Sequence, residues 1–203
     1  MGEERTNQMM IKKILPFIAA ICFALTGCAT PMPRSEQVAA AGARAEAALA
    51  EPLPAGKVAE YMNSQEQELR QELSGFQGAT VRRERNNLTI TFSSDLLFDT
   101  DSAVLKAGTH DEIDRVDDVL KRYPRTHVRV NAFSDSPGSE AHNLALTQGR
   151  ATAVRDALIQ GGIDPDRIKS RGFGESRPVR SNATESGRQM NRRVTVVIIP
   201  VRL

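Results

Sequence analysis

The chain has 203 residues, of which 27 are Lys or Arg and 25 are Asp or Glu, so its formal net charge is only +2. This length excludes two large domains and allows one domain with a sizeable core plus extensions. The charge is unevenly distributed, with nine basic residues and two acidic ones between positions 167 and 203. These basic residues alternate with Gly, Asn and Ser rather than with aromatics, so we expect no nucleic-acid partner.

The N-terminus has the pattern of a targeting segment. Lys12 and Lys13 precede an apolar run over residues 14–25. That run of about a dozen residues is well short of the ~20 that a membrane-spanning helix needs. We therefore predict a signal peptide over residues 1–27 and exclude it from the fold.

The signal ends in Leu25-Thr-Gly-Cys28, which resembles the bacterial lipobox. The resemblance implies cleavage before Cys28 and acylation of that cysteine, which would anchor the chain in a membrane. Ala29 is similar to the residue found in signals that send lipoproteins to the outer membrane. Cys22 would leave with the signal, so no thiol would remain for a disulfide or a metal.

The next segment is predicted to be a spacer of tether and helices over residues 28–79. Two prolines extend residues 30–34, and residues 35–50 are rich in Ala and Glu, which favour a helix. Residues 57–73 form a second helical stretch with few bulky apolar positions. The pattern favours a solvated spacer over a packed hairpin or a dimer contact. We accordingly expect residues 80–203 to fold as a domain without it.

The domain itself alternates strands and helices. Strands are predicted where apolar and polar residues alternate, and helices where apolar residues recur every three or four positions. The predicted strands cover residues 86–92, 127–133, 168–173 and 194–201, and the predicted helices cover residues 102–123 and 139–160. This order predicts an α/β sandwich in which two main helices pack on one face of a mixed β-sheet.

Asp135 and Arg150 are the strongest candidates for a binding site. Asp135 follows a predicted strand and opens an Asp-Ser-Pro-Gly turn. Ser139 can cap the next helix, and Arg150 lies about three turns into it. A carboxylate can pair with an ammonium and a guanidinium with a carboxylate, so the two could hold one zwitterion. Spacing alone leaves a structural salt bridge between Asp135 and Arg150 equally open.

Three segments together resemble the C-terminal domain of the OmpA family, which includes the peptidoglycan-associated lipoproteins. They cover residues 128–154, 167–178 and 182–194. The resemblance implies an α/β sandwich that binds the diaminopimelate residue of the peptidoglycan stem peptide non-covalently, through Asp135 and Arg150. One departure is Phe133, which stands where the family has an imidazole.

The resemblance also implies roles for four further residues. Asn143 would supply amide hydrogen bonds, and Leu146 would contact the methylenes of diaminopimelate or belong to the core. Asp99 would approach the ligand ammonium, although Asp99 or Asp101 could equally cap the first helix. Arg192 is similar to the family Arg that reaches a peptide carboxylate.

No catalytic set is evident in the sequence. His110, His127 and His142 lack the spacing of a metal site, and we expect no cofactor. The sequence thus favours a binding protein over an enzyme, namely an outer-membrane lipoprotein whose periplasmic domain holds peptidoglycan. The alternatives are the wall-anchoring part of a stator or envelope machine and a periplasmic hydrolase acting on the wall.

Overall fold

The computed structural model describes residues 52–202. The α-helices are α1 Val58–Glu72, α2 Ser94–Leu97, α3 His110–Arg122, α4 Glu140–Gln160 and α5 Glu185–Asn191. The strands are β1 Ala79–Glu84, β2 Asn87–Ser93, β3 Thr126–Phe133, β4 Ile168–Gly172 and β5 Arg193–Pro200. No helix in this part of the chain is long and apolar enough to cross a bilayer.

The strands form one mixed five-stranded sheet in the order β1-β2-β5-β3-β4. All neighbours are antiparallel except β3 and β4, which are parallel and joined by α4. Alternate side chains of β2, β3 and β5 point to one face, and on that face they are buried against the helices in a single core. The predicted fold class is confirmed, with α3 and α4 as the two main helices on one face.

Three elements, β1, α2 and α5, were not predicted, and one begins later than predicted. In β1 only Val81 is buried, which leaves too little alternation to reveal an edge strand. The short helix α5 carries polar residues and a glycine, so it has no apolar stripe. Helix α3 begins at His110 rather than near residue 102, because the preceding segment is extended where Leu105 bridges to Phe98.

The interpretation of residues 57–73 as a solvated spacer is wrong, although the helix itself is present as α1. Val58, Met62, Leu69 and Leu73 are at most 5% exposed and belong to the same core as the sheet. Tyr61 also packs edge-on against Tyr123 at the end of α3, with ring centroids 5.1 Å apart. The few apolar residues of α1 lie on one face of the helix, and they are enough to pack that face into the core. The predicted anchor, tether and first helix lie outside the described residues.

Arg167 ties the start of β4 to the end of α3. Its guanidinium is buried and donates hydrogen bonds to the backbone carbonyls of Leu120, Tyr123 and Thr126. This burial lowers the pKa of Arg167 from its ordinary value.

We expect Arg167→Ala to cost about 3 kcal/mol or more of unfolding free energy, because it leaves buried carbonyls without donors. Urea denaturation measures this cost. Lys169→Ala on the exposed side of β4 is the matched control and is expected to change stability by less than about 0.5 kcal/mol. Equal effects of the two substitutions would contradict the structural role of Arg167.

Candidate ligand-binding cleft

A cleft of about 530 Å³ opens where β3 ends, between the first half of α4 and the loop that follows β2. It is lined by Asp95, Thr100, Asp101, Ser134, Asp135, Pro137, Gly138, His142, Asn143, Leu146, Arg150 and Arg192. Five of the six residues predicted for the site are therefore brought together, the exception being Asp99. The volume is within the range of small-molecule sites.

Local geometry fixes the loop that carries Asp135. Gly138 has a φ of +102°, a conformation that residues with a side chain rarely adopt. The Ser139 hydroxyl accepts a hydrogen bond from the His142 amide and so caps α4 as predicted. The side-chain amide of Asn143 donates to the carbonyls of Asp135 and Pro137. Asn143 was expected to donate hydrogen bonds to a ligand. In the structure its side-chain amide donates to the loop that carries Asp135.

Arg150 is buried, yet it has no carboxylate partner in the part of the chain that the structure describes. Its Nε donates to the carbonyl of Ser102 at 2.8 Å, and Nη2 donates to that of Asp99 at 3.1 Å. The guanidinium also lies over the Phe98 ring, 5.2 Å from its centroid. Burial lowers the pKa of Arg150, and nearby carboxylates only partly oppose this shift. Of the five guanidinium N–H groups, about three remain for a ligand at the cleft.

Asp135 forms an ion pair with Arg192 rather than with Arg150. Nη1 of Arg192 lies 2.8 Å from Oδ2 of Asp135. Arg192 also contacts Asp95 at 3.1 Å and Glu185 at 3.2 Å. Its pKa is raised, above all by the hydrogen bond to Asp95. The structural pair between Asp135 and Arg150 that the spacing left open is not formed.

The cleft offers groups of both signs to a ligand. Oδ1 of Asp135 has no hydrogen-bond donor among residues 52–202, so it can accept one from an ammonium. Arg150 presents its unused N–H groups to a carboxylate. The Ser134 hydroxyl is buried without a partner in the region that the structure describes, and it can bond either group. Leu146 is half-buried on the wall of the cleft and is not a member of the core cluster.

The side chain of Asp99 lies outside the cleft. Its carboxylate is 80% exposed and lies 3.3 Å from the ammonium of Lys106. Only its backbone carbonyl serves the cleft, by orienting Arg150. Neither Asp99 nor Asp101 caps the first main helix, because that helix begins at His110.

Two acidic residues of the cleft, Asp95 and Asp101, were not predicted to lie in it. Asp95 reaches Arg192 from the short helix α2, across 97 positions of sequence. Asp101 lies 2.7 Å from His142 and joins the loop to the start of α4. No local motif could have indicated these long-range contacts. Within the same described residues, no group of His, Cys, Asp or Glu is arranged to hold a metal ion.

The amino-acid sequence matches a known family and named relatives. Residues 97–192 match the OmpA family. The Escherichia coli protein named Probable lipoprotein YiaD is 39% identical over 146 residues, which is 72% of this chain and 66% of that protein. The Mycobacterium tuberculosis protein named Peptidoglycan-binding protein ArfA is 39% identical over 51% of this chain and 32% of its own length.

A solved structure agrees with the fold. The cell wall anchor of the T6SS from Pseudomonas aeruginosa superposes with a TM-score of 0.60 and 27% identity, covering 66% of this chain and 99% of that one. The alignments to curated relatives are partial, since they span just under two thirds of YiaD and about a third of ArfA.

Proposed function

Because residues 97–192 of this chain belong to the OmpA family, we propose that the cleft binds peptidoglycan non-covalently. The ligand would be diaminopimelate, whose side chain ends in a carbon that carries both an ammonium and a carboxylate. The carboxylate would lie against Arg150 and the ammonium against Oδ1 of Asp135. Arg192 would hold Asp135 in place through their ion pair.

The observation that carries this proposal is the buried guanidinium of Arg150. A buried charge is costly unless it is paired, and Arg150 is 5% exposed with only carbonyl and ring partners among residues 52–202. A ligand carboxylate would supply the missing charge. Two similar proteins support a wall ligand. One is named a peptidoglycan-binding protein, and the other is described as a cell wall anchor.

A sedimentation assay with purified murein sacculi tests the proposal. We expect the protein to co-sediment with murein and free diaminopimelate to release it. Murein zymography in parallel tests the alternative of a wall hydrolase. A zone of clearing would favour the hydrolase, and protein that stays in the supernatant would refute wall binding.

The chain is further proposed to be a lipoprotein that ties the outer membrane to the wall, with its domain facing the periplasm. Support comes from the Leu25-Thr-Gly-Cys28 motif and from similarity to a protein named as a lipoprotein. Cys28 lies outside the described residues. Anchoring by several acyl chains is durable, at about 0.8 kcal/mol per buried methylene.

We predict that Cys28→Ser abolishes lipid labelling, because no other cysteine follows the cleavage site. Metabolic labelling with a fatty-acid probe measures this. Cys22→Ser is the matched control and is expected to keep the label, since Cys22 would be removed with the signal. Label that persists on the Cys28→Ser variant would contradict the proposed anchor.

A further inference from the structure

The face of the sheet opposite the helices carries a row of basic residues. The strand register places Arg82 beside Thr89, Thr89 beside Val197, Val197 beside Arg129, and Arg129 beside Lys169. These side chains share one face because neighbours in register point the same way. The next row ends in Arg171, beside Asn131.

These cations are exposed, and none of them has a carboxylate partner in the described part of the chain. Arg82, Arg129, Lys169 and Arg171 are all exposed, so no element between residues 52 and 202 covers this face. None of them forms a salt bridge there, whereas cations on the helix side mostly do. Among the strands of residues 52–202, Glu84 is the one carboxylate on this face. The charge of the face is therefore strongly positive.

Two phenylalanine rings fix further guanidinium groups at the edge of this face. Phe133 and Phe173 stack with centroids 5.1 Å apart. Arg193 lies 3.8 Å from the centroid of Phe133, and Arg177 lies 4.2 Å from that of Phe173. Arg193 also donates to the carbonyls of Asn191 and Arg177. Stacking and these hydrogen bonds hold the planar groups in place. Phe133, which departs from the family pattern, thus supports a cluster of positive charge.

We propose that this open sheet face docks on a membrane surface that carries anionic phosphate headgroups. At the centre of this face lie Thr89, Thr91, Asn131 and Thr195 together with two apolar residues, Val197 and Ile199, which are too few for a large apolar cluster. A stable protein interface needs an apolar centre, and a second copy of the chain would bring like charges together. An array of separated cations matches headgroup phosphates instead.

The two binding surfaces do not compete. Arg192 points to the cleft, where it contacts Asp135, while the next residue, Arg193, contacts Phe133 on the other side of the sheet. None of the residues that line the cleft belongs to the basic rows. The domain could therefore contact a membrane with its sheet while the cleft holds another ligand.

Vesicle flotation tests this proposal with the chain from Ala29 onward, which retains every residue of the core. We expect binding to phosphatidylcholine vesicles that contain about 30% phosphatidylglycerol, and none to pure phosphatidylcholine. The triple variant Arg82→Gln, Arg129→Gln, Lys169→Gln should bind about a hundredfold less, since each cation contributes about fivefold. Raising the ionic strength to about 1 M should release the protein.

The matched control removes the same charge from the helix side. The side chains of Lys57, Arg70 and Arg115 are each more than half exposed, so replacing all three by Gln should leave folding and vesicle binding nearly unchanged. Equal losses in the two triple variants would overturn the proposal, as would binding that does not depend on phosphatidylglycerol. Retention on a single-stranded oligonucleotide without vesicle binding would also overturn it. No murein is present, so the outcome is independent of the proposed wall binding.

Discussion

Asp135→Ala and Arg150→Ala are each expected to weaken murein binding by roughly tenfold to a hundredfold. Each substitution leaves one charge of the zwitterion without a partner in a partly buried cleft, which costs about 1.5–3 kcal/mol. Arg150→Lys should also bind more weakly, because an ammonium does not reproduce the planar fork or its bonds to the carbonyls of Asp99 and Ser102. Sedimentation with sacculi over a range of murein concentrations measures the affinities.

A melting curve for each variant separates a binding role from a structural one. Arg155→Ala is the matched control, since Arg155 lies on the same helix, does not line the cleft and pairs with Asp156. It should bind murein as the unmodified chain does. Folded Asp135→Ala and Arg150→Ala proteins that bind normally would remove both residues from the site. If murein binding by each variant falls only in proportion to the fraction of protein that is folded, the two residues stabilise the fold and do not bind the ligand.

Deleting α1 is expected to unfold the domain. A chain that begins at Gly78 lacks Val58, Met62, Leu69 and Leu73, which are nearly fully buried. Burying each such side chain contributes about 1.5–3 kcal/mol, so the loss is comparable to the ~5–15 kcal/mol that stabilises a typical domain. Thermal unfolding followed by circular dichroism should show a cooperative transition for a chain that begins at Pro52 and none for the shorter chain.

Shortening a single buried side chain of α1 sharpens this test. Met62→Ala should cost about 2–5 kcal/mol, because the fully buried side chain leaves a cavity between α1 and the sheet. Gln67→Ala on the exposed side of the same helix serves as its control. A cooperative transition in the chain that begins at Gly78, at a temperature close to that of the longer chain, would show that α1 is dispensable.

A strand of the sheet could be predicted from sequence wherever its two faces differ in polarity. The alternation of Leu88, Ile90 and Phe92 with polar residues reveals β2, and the apolar run of residues 194–201 reveals β5. β1 has a single buried apolar residue, Val81, and lies at the edge of the sheet. α1 was recognised as a helix, but its packing depends on contacts with strands and helices that follow it in sequence. Such packing has no local signature.

The cleft was predicted only in part, because some of its residues are close in sequence and others are brought together by the fold. Asp135, Asn143, Leu146 and Arg150 lie within one strand–turn–helix unit, so their spacing indicated their proximity. The ion pairs that surround them join distant segments, as Arg192 does with Asp95. The exposed position of Asp99 follows from a loop that turns its side chain toward Lys106. Loop conformation of this kind is decided by tertiary contacts rather than by composition.

The most direct test of the proposed function is calorimetric titration with two stem peptides that differ at one residue. One carries diaminopimelate and the other carries lysine, which keeps the ammonium but lacks the neighbouring carboxylate. If Arg150 binds that carboxylate, the diaminopimelate peptide should bind at least about tenfold more tightly. This difference should disappear in Arg150→Ala. Equal affinity for both peptides in the unmodified chain would contradict recognition of the zwitterion by this cleft.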